Sequence, residues 1–76
     1  MNNNIEEKKR EIINLKKQDE VNKNLIKVSE SLVAVLNQFR EEPDNKEVLT
    51  VIADLEGQKE QLKAKAKKLS EELAQL

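Results

Sequence analysis

The segment Glu41-Glu42-Pro43-Asp44-Asn45-Lys46-Glu47 interrupts a chain of 76 residues that is otherwise suited to helix. Pro43 lacks a backbone N–H and its ring clashes with the preceding turn, so a helix cannot continue through it. Proline also disfavours the α conformation of the residue before it, here Glu42. We therefore predict that a first helix ends at about residue 41.

The residues after the proline carry the signals of a new helix start. Asp44 suits the N-cap position, and Glu47 three residues later completes a capping box in front of an apolar run. Asn45 is the neighbouring alternative for the N-cap. The sequence predicts a turn over residues 42–45 and a second helix from about residue 45 to 75.

This turn resembles a known one. The stretch Pro43-Asp44-Asn45-Lys46-Glu47 is similar to the turn between consecutive tetratricopeptide repeats, although the repeat period of that family is missing. The resemblance implies a tight helix–turn–helix. At the other end of the chain, Asn4 and Glu7 form a second capping box, so the first helix is predicted from about residue 5 to 41. Two arms of nearly equal length joined by a short turn fold back antiparallel.

Composition favours a coiled coil. Charged residues make up 38% of the chain, and one Gly, one Pro and a single aromatic residue, Phe39, leave little room for a β-meander. The chain has no Cys and no His, which excludes disulfide bonds and the usual structural zinc sites. A domain this small therefore needs self-association or a partner for stability.

One apolar stripe on each arm is spaced for packing against the other arm. Its residues alternate three and four positions apart, which is coiled-coil spacing. Apolar residues face each other when the arms are aligned so that opposite residue numbers sum to about 87. The predicted intramolecular seam consists of Val21, Leu25, Val28, Leu32, Val35, Phe39, Val48, Ile52, Leu55, Leu62, Leu69 and Leu73.

The ends of the arms near the termini match less well. Here Asn14 and Gln18 face leucines of the second arm. Either the first helix rotates so that Ile12 and Leu15 meet the second, which we prefer, or this open end is available to a partner. The same alignment brings opposite charges together, Lys16 and Lys17 near Glu71 and Glu72, and Asp19 and Glu20 near Lys67 and Lys68.

The first arm carries a second apolar stripe beside the first, offset by one residue. Between Leu25 and Phe39 the apolar arc covers roughly half of the helix, more than one antiparallel neighbour can cover. Single exposed apolar residues are common, but a contiguous patch tends to mark an interface. The predicted partner or oligomer interface consists of Ile12, Leu15, Ile26, Val33 and Leu36, with Leu49 and Val51 of the second arm.

Two other features of the second arm have a structural and a functional interpretation. Lys59 is the polar member of its seam, and we expect its stem to pack while its amine reaches solvent, rather than to contact a ligand. Ala53, Gly57 and Ala64 form a row of small residues, which we interpret as an exposed face, with close approach of another helix as the alternative.

No chemistry is indicated by the sequence. No His, Cys, Tyr or Trp is present and no Gly-rich loop could hold a phosphate, so we expect no catalytic residue, no cofactor and no metal. Two lysine clusters, at residues 8–17 and 63–68, suggest nucleic-acid binding. Their interleaved acidic residues and the lack of aromatic stacking residues argue against it.

The predicted fold class is all-α, an antiparallel two-helix hairpin that is coiled-coil-like and assembles as a dimer into a four-helix bundle. Without a long apolar run or an export signal, we expect a cytoplasmic protein with no membrane contact. The function predicted is a non-enzymatic helical interaction protein, a homo-oligomer and/or a binder of another helical protein, serving as scaffold, adaptor or regulator. One alternative is a co-chaperone or subunit that shields another helical protein, by analogy of size and shape with the co-chaperones of type III secretion needle subunits. The other is a small nucleic-acid-binding bundle.

Overall fold

Two helices joined by a four-residue turn make up residues 2–74. The structure, a computed structural model, describes residues 2–76, with side chains from residue 4 onward. Helix α1 spans Asn2–Glu41 and helix α2 spans Lys46–Ala74. The predicted all-helical fold is confirmed, because the two helices pack against each other and no other element is present in residues 2–76. The Cα atoms form a rod of 63 × 15 × 13 Å.

The turn ends at Asn45, which caps α2. Its side-chain Oδ1 accepts hydrogen bonds from the backbone N–H groups of Glu47, at 3.0 Å, and Val48, at 3.4 Å, as an N-cap residue does. The preference for Asp44 at this position is wrong. The Asn45 N–H closes the turn on the Glu42 carbonyl at 3.1 Å, which leaves Asp44 inside the turn.

Helix α1 is the longer arm, with 40 residues against 29 in α2. It begins at Asn2, so Asn4 lies within the helix and the predicted N-terminal capping box does not form. The arms are therefore unequal. Because the helices are joined at residues 42–45, about eleven residues of α1 extend past the end of α2, a distance of roughly 16 Å. Asparagine is only a moderately poor helix former, so nothing in this segment stops the helix.

The hydrophobic core lies along the line where the two helices meet. Its largest cluster is near the turn, where Leu32, Val48 and Ile52 are buried. These three pack against partly buried Val28, Val35, Phe39 and Leu55. Toward the termini the buried apolar residues are Val21 and Leu69.

A buried asparagine fixes the alignment of the helices at the other end of the rod. Asn14 is only 7% exposed, and its Nδ2 donates a hydrogen bond to the Leu69 carbonyl at 2.9 Å. A helical carbonyl points toward the residue four positions later, so this oxygen lies near the level of Leu73. Asn14 is thus opposite Leu73, which matches the alignment in which opposite residue numbers sum to about 87.

The predicted rotation of the first helix does not occur. Ile12 and Leu15 remain 46% and 45% exposed, while Asn14 between them is buried. Asn14 tolerates burial because both of its polar atoms are used: Nδ2 binds the Leu69 carbonyl, and Oδ1 accepts from Gln18 Nε2 at 2.6 Å. A buried amide with its hydrogen bonds made does not have to be turned out to solvent.

The charged groups do not cross-link the helices. In residues 4–76 each ion pair joins two exposed residues of the same helix, three or four positions apart. The pairs are Lys8–Glu11, Lys9–Glu6, Lys23–Asp19 and Lys63–Glu60. The predicted approach of opposite charges is seen only as a shared groove, which Lys17, Glu20, Lys68 and Glu72 line. Exposed pairs of this kind add little to stability, so packing holds the helices together.

Neither helix, over the residues described, contains a stretch long and apolar enough to cross a membrane.

Candidate functional site

The hairpin has two faces that differ in chemistry. On one of them, Lys17, Asn24, Lys65 and Glu72 line a groove between the helices. Each of these residues directly precedes a residue at the seam spacing, which also runs through Glu11, Asn14, Gln18, Lys59 and Ala66. We call this side, made by the residues that precede seam residues, the groove face, and six of the eight residues that line the groove are polar or charged.

The opposite side is made by the residues that follow seam residues. Because the helices run antiparallel, one step forward along either helix turns to the same side of the rod, and one step back turns to the other side. We call this side the stripe face. On α1 it carries Ile12, Leu15, Asp19, Asn22, Ile26, Ser29, Val33 and Leu36, and on α2 it carries Leu49, Ala53, Glu56, Glu60, Lys63, Lys67, Ser70 and Ala74.

The apolar residues of α1 on the stripe face are not covered by α2. Their exposed fractions lie between 45% for Leu36 and 59% for Val33. The seam residues next to them differ sharply, since Leu32 is 8% exposed. The contrast arises because α2 touches only one side of α1, and a helix with two adjacent apolar stripes needs a second neighbour.

Two shallow, open depressions lie on this side of α1. One, of about 460 Å³, is lined by Leu25, Ile26, Ser29, Glu30 and Val33. The other, of about 450 Å³, is lined by Ile12, Leu15, Lys16, Asp19 and Glu20. In coiled coils, four or so residues of one helix form the hole that receives a side chain of the facing helix. Both depressions belong to α1 alone, so each is open to a facing helix.

The predicted interface residues of α2 do not share one face. Leu49 and Val51 are 46% and 45% exposed. Leu49 follows the seam residue Val48 and joins the stripe face, whereas Val51 precedes Ile52 and belongs to the groove face. The sequence prediction placed Leu49 and Val51 together because both lie near the turn, and it did not take their different helical phases into account.

Three exposed apolar residues were absent from the predicted site. Ile5 is 56% exposed and lies one heptad before Ile12, so it continues the stripe along the part of α1 that extends past α2. The heptad spacing already contained this signal. Ile13 and Leu76 are also exposed and line one cavity on the groove face beside Asn14. Their meeting depends on the alignment of the helices, which the sequence pattern gave only roughly.

The polar features of α2 show no built binding site. Lys59 is half-buried in the seam. A Cβ added to Gly57 would meet nothing within 4 Å, so no other part of this chain approaches Gly57 closely. Among residues 4–76, no group of three acidic or metal-ligating side chains is placed to hold a metal ion, and no buried side-chain polar atom lacks a hydrogen-bond partner.

The fold and the surface together define a two-helix hairpin whose groove face is lined mainly by polar residues and whose stripe face presents an uncovered apolar stripe. Comparison of the chain with models of known protein families, with curated proteins and with solved structures finds no match. The function is therefore argued from the stripe face.

Proposed function

We propose that this protein is a non-enzymatic helical interaction protein, a small scaffold, adaptor or regulator that packs its stripe face against another amphipathic helix. The observation that carries the proposal is the exposed stripe of α1. Five apolar side chains, separated by three residues or by sums of threes and fours, remain about half exposed after α2 has packed.

Burial of this stripe would release a useful free energy. Complete burial of a Leu, Ile or Val side chain contributes about 1.5–3 kcal/mol. Since these side chains are already half covered, about 1 kcal/mol remains for each, or roughly 5 kcal/mol for the five. Part of this is offset by the entropy lost on association. Before that cost the sum is comparable with the stability of a small domain, so folding and association of this hairpin would be coupled.

The charges around the stripe favour a helical protein as the partner. Lys16, Lys23 and Glu30 lie on its outer edge, Asp19 lies on the stripe itself, and Lys23 is paired with Asp19 at 3.1 Å. A surface for nucleic acid or for acidic lipid would present one sign of charge. Mixed charges beside an apolar stripe are typical of helix–helix packing.

The proposal is tested by measuring the mass of the complexes that the full chain forms, by sedimentation at micromolar concentration and by co-purification from its native cell. The variant Ile26→Gln/Val33→Gln/Leu36→Gln should lose these complexes while circular dichroism still shows helix. Glutamine is a good helix former, so the change removes apolar surface and leaves helix propensity nearly intact.

A matched control alters exposed apolar residues on the other face. Ile13→Gln/Val51→Gln should leave the complexes unchanged, because both residues lie on the groove face. A folded chain that is monomeric and retains no partner would contradict the proposal, as would complexes that survive the triple substitution. A co-purifying helical protein would indicate that the hairpin shields another chain.

A further inference from the structure

Three of the four residue pairs of the α1 stripe match in polarity when the stripe is reversed, and Asn22 with Ile26 is the pair that does not. Apolar residues occupy both ends, and polar residues lie mainly in the middle. When the stripe is set antiparallel against a copy of itself and centred at the level of Asn24, apolar ends meet apolar ends. The residues that pair between the copies are Ile12 with Leu36, Leu15 with Val33, Asp19 with Ser29, and Asn22 with Ile26. Lys8 and Arg40 meet at the two extremes, so the apolar pairing ends there.

The stripe face of α2 has the same property in its charges. Glu56 and Glu60 are followed by Lys63 and Lys67, and all four side chains are exposed. An antiparallel copy centred between residues 61 and 62 sets Glu56 against Lys67 and Glu60 against Lys63. Symmetry makes each contact twice, so four pairs of opposite charge form.

The outer edge of the α1 stripe gives a third, weaker indication of two-fold pairing. An antiparallel copy that pairs Lys16 with Glu30 is centred at Lys23, one residue from the centre of the apolar pattern. Both side chains are exposed. The Lys16–Glu30 pair therefore agrees with the apolar pairing, whereas Lys23 lies at the centre and faces its own copy.

The centres on the two helices lie at the same level of the rod. The hydrogen bond from Asn14 to the Leu69 carbonyl fixes the alignment of α1 and α2. In that alignment Asn24 is opposite a position close to Lys63, which is within two residues of the centre of the α2 charge pattern, or about 3 Å along the axis. Two patterns on different helices thus share one axis.

We propose that the stripe face binds a second copy of this chain about this axis, in a two-fold antiparallel dimer that forms a four-helix bundle. The inference rests on the proposed function and names the partner. The face is about 36 Å long from Ile12 to Leu36 and about 20 Å wide across two helices. It buries roughly 1,400 Å² in total, within the range of specific dimers.

The charge pattern of α2 gives the first test. Glu56→Lys/Glu60→Lys places four lysines on one face, and Lys63→Glu/Lys67→Glu places four glutamates there. Each variant alone should self-associate about tenfold more weakly at low salt, because like charges face each other across the axis. An equimolar mixture should form a one-to-one heterodimer with the affinity of the unaltered chain. Sedimentation equilibrium measures both.

Lys65→Glu/Lys68→Glu is the matched control, since it makes the same change of charge on the groove face and should leave self-association unchanged. The proposal would be overturned if the substitutions on the stripe face left the affinity of self-association unchanged. It would also be overturned if the mixture associated no more tightly than either variant alone.

The position of the axis is tested by disulfide formation, because the chain has no cysteine of its own. Asp19→Cys/Ser29→Cys should give a covalent dimer under mild oxidation, since these residues face each other across the axis. Asp19→Cys/Arg40→Cys should stay uncrosslinked, because the nearest thiols of the two copies lie about 15 Å apart along the axis. Equal crosslinking of the two variants would place the axis elsewhere.

Failure of this inference can be told from failure of the proposed function. A monomeric chain whose partner is lost on Ile26→Gln/Val33→Gln/Leu36→Gln would refute the two-fold dimer and leave helix binding by the stripe face intact. Complexes that survive that substitution would refute both.

Discussion

The half of the hairpin near the turn and the half near the termini use one spacing of seam residues with different chemistry. Near the turn, Leu32, Val48 and Ile52 form an apolar cluster with four partly buried neighbours. Near the termini, the buried Asn14 lies in the same seam and binds the Leu69 carbonyl.

The difference separates two requirements of a two-helix fold. Apolar packing stabilises the pair but tolerates a shift along the axis, because one heptad position resembles the next. A buried amide with one specific acceptor allows only one alignment, at some expense of stability. The turn half therefore supplies most of the packing, and the terminal half sets the alignment.

The largest expected effect comes from truncating one leucine in each half. Leu32 and Leu69 are 8% and 7% exposed, so Leu32→Ala and Leu69→Ala remove equal side chains at equal burial. We expect a loss of unfolding free energy of about 3 kcal/mol for Leu32→Ala and about 2 kcal/mol for Leu69→Ala. The cavity near Asn14 can admit water, whereas the one near the turn cannot. Urea denaturation measures both, and a larger loss at Leu69 would reverse the assignment of the halves.

Replacing Asn14 tests the terminal half directly. Asn14→Leu should raise the unfolding free energy by about 1 kcal/mol and should give more than one set of amide signals in NMR spectra, because the alignment is no longer fixed. Asn14→Ala should lower the unfolding free energy by about 1–2 kcal/mol, since it leaves a cavity and removes the acceptor of Gln18. A single set of signals from Asn14→Leu would show that the turn alone sets the alignment.

The start of α2 offers a smaller effect at the turn. Asn45→Ala should lower the unfolding free energy by about 1 kcal/mol, because the N–H groups of Glu47 and Val48 lose their acceptor. Asp44→Ala is the control and should change stability by less than about 0.5 kcal/mol, as other exposed surface positions do. Thermal melts of the two variants compare them, and equal losses would mean that both residues cap the helix.

The smallest effect is expected between the two halves, at Gly57. Gly57→Ala should raise the unfolding free energy by about 0.5–1 kcal/mol, because alanine restricts the unfolded chain and its Cβ meets nothing in the hairpin. Self-association should be unchanged. A weaker complex would instead indicate that another helix approaches Gly57 closely.

The fold could be predicted largely from Pro43 and from the spacing of apolar residues, because both act through local backbone and helix geometry. The burial of Asn14 could not. Its stability depends on the Leu69 carbonyl, 55 positions away, and a sequence pattern shows polarity without showing the acceptor. The choice between Asp44 and Asn45 also failed, because both suit an N-cap and only the closure of the turn separates them.

The candidate surface was predictable to the extent that it follows helical phase. Ile26, Val33 and Leu36 are exposed because they lie one step beyond the seam, which the sequence already implies. Val51 was assigned to this surface although its phase places it on the groove face. The centre of the apolar pattern on α1 and the centre of the charge pattern on α2 lie at the same level of the rod only in the alignment set by Asn14. This coincidence could therefore be recognised only in the folded chain.

The rod shape has a hydrodynamic consequence. A body of 63 × 15 × 13 Å has an axial ratio of about four, and its friction in water exceeds that of a sphere of equal mass. On a gel-filtration column the single hairpin would elute early and imitate a larger particle. A second hairpin laid side by side would thicken the rod and barely lengthen it. The dimer would therefore have the lower frictional ratio, and its sedimentation coefficient would rise more than a doubling of mass at constant shape predicts.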